Sequence, residues 1–141
     1  MKTFILTSFL CILCFQCEAQ GNNVFKGKIT NKEYQIYIIM DFYKQKVIVK
    51  GEELFGDVPG YFGSQRDDRK WIFTSCQLQN DSIASVEITD DYGSEDLTAT
   101  LTYKGNNIYS LTQNKGSKLK IAVNRKWVKM AQAIFNGDKK D

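Results

Sequence analysis

Two polar segments of the chain hold most of the residue types that could recognise a ligand or a partner. The first, residues 56–69 (GDVPGYFGSQRDDR), contains the single proline of the chain and is the longest connection between predicted strands. It places the aromatic side chains of Tyr61 and Phe62 close in sequence to Arg66 and Arg69. Long loops carry binding residues more often than short ones do. Residues 56–69 are therefore a candidate binding loop.

The second segment, residues 89–96 (TDDYGSED), is acidic around one aromatic side chain. Its candidate binding residues are Asp90, Asp91, Tyr92 and Asp96. Alternate loops of an antiparallel meander lie at the same end of the sheet, so both segments are expected on one rim. Either they pair with each other and close that end, or they form a rim that binds a ligand or partner. Calcium is a third interpretation, although the carboxylate spacing does not match a calcium-binding loop.

Most catalytic arrangements are excluded by composition. The chain has no histidine, which rules out Ser-His-Asp and Cys-His catalysis and histidine-based zinc sites. No glycine-rich phosphate loop or dinucleotide fingerprint is present, and no carboxylate pair stands out for glycoside hydrolysis. We therefore expect a protein that is not an enzyme and that needs no cofactor or metal.

The first nineteen residues have the pattern of a signal peptide. Lys2 supplies a positive start, residues 4–15 (FILTSFLCILCF) are almost entirely apolar, and Cys17-Glu18-Ala19 fits a cleavage site. The apolar run is too short to span a membrane, which takes about 20 residues. Cleavage after Ala19 predicts a secreted or periplasmic protein without a membrane span.

Removal of the leader leaves Cys76 as the one cysteine, so no internal disulfide can form. Because Cys76 lies in an apolar run without a histidine to activate it, a structural thiol is expected. The leader also takes Lys2 and Glu18 with it, which leaves the net charge at +3. Since the signs are interspersed, we expect no nucleic-acid surface.

Short runs of alternating apolar and polar residues, separated by polar turns, predict an all-β domain. Eight consecutive strands with short connections imply an antiparallel meander, closing into a barrel or flattened barrel, lipocalin-like in outline. A two-sheet sandwich is the alternative. The outward faces carry lysines and threonines that lipid would not tolerate. The predicted strands are residues 24–29, 34–42, 46–54, 70–78, 82–89, 97–103, 108–113 and 118–123.

The aromatic residues on these strands have two interpretations. They fill a packed interior, or they line a cavity that holds one small ligand, since eight-stranded barrels do either. The residues concerned are Phe25, Tyr34, Phe42, Trp71, Phe73 and Tyr103.

After Val123 the apolar period changes. Trp127, Met130, Ala131, Ile134 and Phe135 fall on one stripe of a helix, with Asn124 as its N-cap and Gly137 as its stop. This predicts a short C-terminal helix that could cover the second apolar face of strand 34–42 (Tyr37 and Ile39). A ninth strand over residues 126–130 is the alternative.

The start of the domain resembles small secreted β-barrel-like proteins of uncharacterised function from Bacteroidota. The likeness rests on Phe25-Lys-Gly-Lys-Ile29, on Tyr34-x-Ile36 with Met40 further along, and on the Ala19-Gln20 junction. It covers about 20 residues of the domain. The resemblance implies an exported barrel-like fold and brings no catalytic residues.

Together these patterns predict a signal peptide (1–19), a single barrel-like domain (20–136) and a frayed tail (137–141). The expected function is a secreted, monomeric, non-enzymatic binding module. It would hold a small apolar molecule in the barrel through residues such as Trp71 and Phe73, or a protein at the loop rim. The alternative is an inhibitor-type interaction protein that inserts residues 56–69 into its partner.

Overall fold

Backbone hydrogen bonds between neighbouring strands close one sheet on itself. The computed structural model describes residues 23–138, and its strands are β1 (Lys26–Asn31), β2 (Ile36–Asp41), β3 (Val47–Ile48), β4 (Asp57–Val58), β5 (Gly60–Ser64), β6 (Lys70–Leu78), β7 (Ile83–Asp90), β8 (Asp96–Tyr103), β9 (Ile108–Gly116), β10 (Lys120–Val123), β11 (Lys126–Lys129) and β12 (Gln132–Gly137). A 3-10 turn spans Glu53–Phe55.

Eight of these strands form a closed antiparallel barrel in the order β1-β12-β9-β8-β7-β6-β5-β2. Each strand pairs with the next barrel strand along the chain, and β1 pairs with β12 to complete the circle. The predicted all-β meander is confirmed, with an outline consistent with a lipocalin. Two short hairpins, β3–β4 and β10–β11, lie outside the barrel sheet.

Apolar and polar residues alternate along the barrel strands, and the apolar side chains fill the interior. On β7 and β8 the inward residues are apolar, as predicted, whereas the outward residues include Glu87, Thr98 and Thr100. Phe62 meets Phe135 edge to face across the barrel, with ring centroids 6.1 Å apart. Ala84 and Ala99 contribute small side chains to the same buried cluster.

Both ends of the barrel are plugged. We call the end with turns 32–35, 65–69 and 91–95 the upper end, and the opposite end the lower end. At the lower end the rings of Phe25 and Phe42 stack with centroids 5.4 Å apart, and Phe42 also contacts Phe73. At the upper end, buried side chains from residues 117–131 close the interior: Leu119, Ile121 and Met130.

The chain between β2 and β5 covers the outside of the barrel. The predicted strand over residues 46–54 is wrong, because only Val47–Ile48 form a strand and they pair with β4. Val49 and Val58 instead pack on the outward side chains of Tyr61 and Ile72. The second apolar face of β2 is thus covered by this segment and not by a helix.

Residues 56–69 are not one long loop, because Gly60–Ser64 form barrel strand β5 between β2 and β6. Glycine makes this stretch look like a loop, yet both glycines are needed in the wall. A Cβ on Gly60 would lie 2.5 Å from the carbonyl oxygen of Ile39, and one on Gly63 would meet the ring of Tyr37 at 2.6 Å. Only residues 65–69 remain as a turn.

The predicted C-terminal helix is also wrong. Asn124 and Arg125 have positive φ angles of 51° and 64°, which give the two-residue turn of the β10–β11 hairpin. Residues 132–137 then alternate, with Phe135 inside and Ile134 outside, and form the eighth barrel strand. The alternative strand over residues 126–130 is close to β11. Predicted strand 118–123 contributes β10 and lies outside the barrel.

Several predictions about the chain ends lie outside the described residues. The signal peptide (1–19) and positions 139–141 of the predicted tail belong to this group, whereas Gly137 pairs with Ile29 in the wall. Within residues 23–138 no helix has the length and apolar character needed to cross a membrane. Cys76 is half-buried, and burial raises the pKa of its thiol.

Tyrosines fasten the start of the domain to the barrel. The hydroxyl of Tyr109 donates to the carbonyl of Val24 at 2.5 Å, and the Tyr43 hydroxyl accepts from the Phe25 amide at 3.1 Å. Burial, followed by the nearby Tyr103 and Tyr43, raises the pKa of Tyr109 to about 12.

Alkaline pH should therefore destabilise the protein through Tyr109. An unfolded tyrosine ionises near pH 10, so between pH 10 and 12 the unfolded state binds fewer protons and stability falls as pH rises. Over this interval we expect the free energy of unfolding of Tyr109→Phe to fall by about 1 kcal/mol less than that of the wild type, a value discounted for solvent screening. Urea unfolding at pH 8 and at pH 11.5 measures the difference. Equal losses in the two proteins would contradict the assignment.

Candidate functional site

A hairpin folds across the upper end of the barrel. Residues 117–131 connect β9 to β12 and contain β10 and β11, and we call them the upper hairpin. The indole Nε1–H of Trp71 donates to the Lys120 carbonyl at 3.2 Å and joins the hairpin to the barrel wall. The side chain of Gln113 accepts from the Leu119 amide and donates to the Ser117 carbonyl. These bonds fix the position of the hairpin.

An exposed tryptophan lies on the outer face of this hairpin. Trp127 pairs across the hairpin with Ala122 and remains 48% exposed. The guanidinium carbon of Arg69 lies 4.3 Å from the centroid of the Trp127 ring, and Lys120 Nζ lies 5.5 Å from it. Such cation–π contacts hold a positive group against an aromatic face. Lys120 also forms an ion pair with Glu95 at 3.2 Å.

The acidic segment uses much of its hydrogen-bonding capacity internally. Both carboxylate oxygens of Asp90 accept bonds from Ser94, at 2.7 Å each, and one also accepts from the Glu95 amide. Burial would raise the pKa of Asp90, but these hydrogen bonds outweigh it and lower the pKa. In residues 23–138 no group of three or more potential metal ligands comes together. The calcium interpretation gains no support from this geometry.

The two predicted segments do meet at the upper end. Trp71 pairs with Asp90 in the sheet, and the Lys70 amide donates to Asp91 at 3.4 Å. However, the predicted pairing of arginines with carboxylates is not observed. Neither Arg66 nor Arg69 has a carboxylate oxygen within 4.0 Å in the described part of the chain.

The candidate site residues divide into two groups. Exposed or half-buried at the upper end are Arg66, Arg69, Asp90, Asp91, Tyr92 and Asp96. Buried are Tyr61, which lies under the outer segment, and three interior residues: Phe62, Trp71 and Phe73. Of these, Phe62 and Trp71 line the small crevice at the upper end. The second group packs the protein and presents almost no surface to a partner.

The barrel interior offers no space beside its largest rings. Phe25, Phe73 and Phe135 have no surface accessible to a water-sized probe, whether from outside or from within. The crevice between the upper hairpin and turn 65–69 holds about 10 Å³, roughly one water molecule. This crevice is therefore too small for a ligand.

A larger open cleft of about 670 Å³ lies on the outer wall near the lower end, between β1 and the side chain of Tyr109. It arises because only Ile29 and Thr30 of β1 pair with β12. This spacing between strands accounts for the cleft, which is far from the upper hairpin.

The residues that the sequence reasoning missed are those of the upper hairpin, above all Trp127 and Lys120. A signal was present, because residues 117–131 contain five basic residues and no acidic one. The helical stripe through Trp127 concealed it. Comparison of the chain with protein families, curated proteins and solved structures finds no match.

Proposed function

We propose that this protein is an exported, non-enzymatic binding module that captures a partner at the upper end of its barrel. The observation that carries the proposal is the half-exposed Trp127, held beside Arg69 on a hairpin of one charge sign. Together with tyrosine, tryptophan and arginine are the residues most enriched among those that contribute most to the binding energy of protein interfaces.

The filled interior supports a surface partner over a small molecule inside the barrel. A carrier needs a cavity of about 300 Å³ or more to enclose its ligand. Here the interior rings of Phe25, Phe73 and Phe135 have no accessible surface, and both barrel ends are closed by buried side chains. The inserting-loop alternative has less support, because residues 60–64 belong to the barrel wall and only a five-residue turn remains.

Affinity capture tests the proposal. The protein is immobilised and exposed to the exported fraction of its own host, beside the double variant Arg69→Gln/Trp127→Ala. We expect a protein that is retained by the wild type and lost by this variant. The matched control is Leu54→Ala, which removes a fully exposed apolar side chain from the segment that covers the outer wall. Its capture should equal that of the wild type.

Native mass spectrometry of the purified wild type completes the test. The expected spectrum contains the polypeptide mass without a tightly held small molecule. A stoichiometric ligand that persists in the double variant would refute binding at the upper end, as would equal capture by all three proteins.

A further inference from the structure

The upper hairpin carries an unbalanced positive charge. Its five cations are Lys118, Lys120, Arg125, Lys126 and Lys129. Within residues 23–138, Lys120 alone of these has a carboxylate oxygen within 4.0 Å, that of Glu95. Structural ion pairing therefore does not account for the charge. A patch of this kind favours a negatively charged partner.

Arg69 adds directional recognition to this charge. The Trp127 ring beneath it restricts the guanidinium, which has no carboxylate oxygen within 4.0 Å in the described residues. The N–H groups of a guanidinium form a fork that matches the two oxygens of a carboxylate. Because Trp127 already orders the Arg69 side chain, less conformational entropy is lost when a carboxylate binds.

The surroundings limit the size of the anion. Each hairpin strand has four residues, so its length is about 13 Å. Carboxylates lie at the same end of the barrel, on turn 65–69 (Asp67, Asp68) and on segment 89–96 (Asp91, Asp96), and Asp67 lines the crevice beside Arg69 and Trp127. A long polyanion would pass over these groups and be repelled. A short acidic stretch would not.

We propose that the partner presents a short acidic peptide segment, one carboxylate of which binds Arg69 beside Trp127 while its neighbours face the hairpin lysines. The inference rests on the proposed function and names the chemistry recognised there. It commits to a peptide and not to an anionic polysaccharide, because the positive patch is short and bordered by carboxylates that would repel a long anionic chain.

Titration with three matched probes tests the inference. The two peptide probes are N-acetylated and C-amidated. Hexaglutamate and hexagalacturonate then each carry six carboxylates, on a peptide or a sugar backbone, and hexaglutamine carries none. The chain has two tryptophans, so its indole N–H resonances report on Trp71 and Trp127 separately once Trp127→Phe assigns them. Hexaglutamate should shift the Trp127 resonance more than that of Trp71 and bind at least about tenfold more tightly than either other probe.

Variants of one turn then locate the contact. Arg69→Gln should weaken hexaglutamate binding at least about tenfold, and Arg69→Lys by about three- to tenfold, because lysine keeps the charge but loses the fork. Arg66→Gln is the matched control, with the same charge change in the same turn but without the tryptophan contact. Its affinity should stay within about threefold. Both arginines are exposed, and unchanged melting temperatures would confirm intact folding.

Three results would overturn the inference. Tighter binding of hexagalacturonate would assign the patch to a polysaccharide, and equal effects of Arg66→Gln and Arg69→Gln would show diffuse charge attraction only. No shift at millimolar hexaglutamate would exclude acidic peptides. In each case a partner still lost by Arg69→Gln/Trp127→Ala in the capture experiment would leave the proposed function standing.

Discussion

Replacing Phe73 with alanine should lower the free energy of unfolding by about 3–5 kcal/mol. Phe73 lies in the middle of the interior with no accessible surface, and its ring centroid is 6.0 Å from that of Phe42. Alanine would remove this ring and leave a cavity that the closed barrel cannot collapse to fill. Urea unfolding followed by circular dichroism measures the change.

The comparison that gives this result meaning is Tyr92→Ala, which removes an aromatic ring that is 79% exposed. Its effect should stay within about 0.5 kcal/mol. If Phe73→Ala does not fold, Phe73→Leu provides the measurement, with an expected loss of about 1–2 kcal/mol. A barrel that held a ligand around Phe73 would show a small loss of stability in the absence of ligand.

Gly116→Ala should be the second strongly destabilising change, with a loss of about 3 kcal/mol or more. Gly116 has a φ angle of +96°, and an added Cβ would meet the Asp96 carbonyl and lie 2.8 Å from the Leu97 Cα. Because both contacts are backbone atoms of β8, they cannot turn aside. The close approach also lets the Ser117 amide donate to the Asp96 carbonyl, where the upper hairpin begins.

Gly93→Ala separates the two causes. Gly93 has a φ angle of +70°, but its Cβ would meet no atom within 4 Å. Thermal and urea unfolding should show a loss of about 1 kcal/mol for this variant, from backbone strain alone. Equal losses at both positions would mean that β8 and β9 relax apart, contrary to the steric explanation.

The sequence predicts most reliably the strands that face water on one side. On β7 and β8, apolar residues such as Val86 and Leu101 alternate with polar ones, and this period sets both strand and inward face. The count of eight strands was correct, although two members differ. Residues 46–54 and 118–123 are replaced in the barrel by β5 and β12.

The errors occur where two structural patterns share the same residues. β5 has glycine at positions 60 and 63, which suggests a loop. These glycines are required by contacts with Met40 and Tyr37 of β2, a strand about twenty residues earlier in the sequence. Residues 127–135 fit a helical stripe as well as two short strands, and the pairing of β12 with β1 and β9 decides between them. Local sequence does not contain that decision.

The candidate site was predictable only in part. The sequence correctly predicts that the turn with Arg69 lies at the same end as Asp90. Alternate turns of an antiparallel meander share one end, so this prediction needs only the strand directions. The contact between Arg69 and Trp127 depends on how the upper hairpin folds over the barrel. Packing of Leu119 and Ile121 sets that fold, and no short-range pattern reports it.

Closure of the barrel depends on a narrow seam. β1 and β12 share two residue pairs, and the side chain of Asn31 reaches the Ile134 carbonyl across 103 positions of the chain. Contacts so distant in sequence carry a high entropy of loop closure and form late in folding. The barrel therefore closes only after β12 has been added to the chain. On heating, the barrel should open first at this same seam.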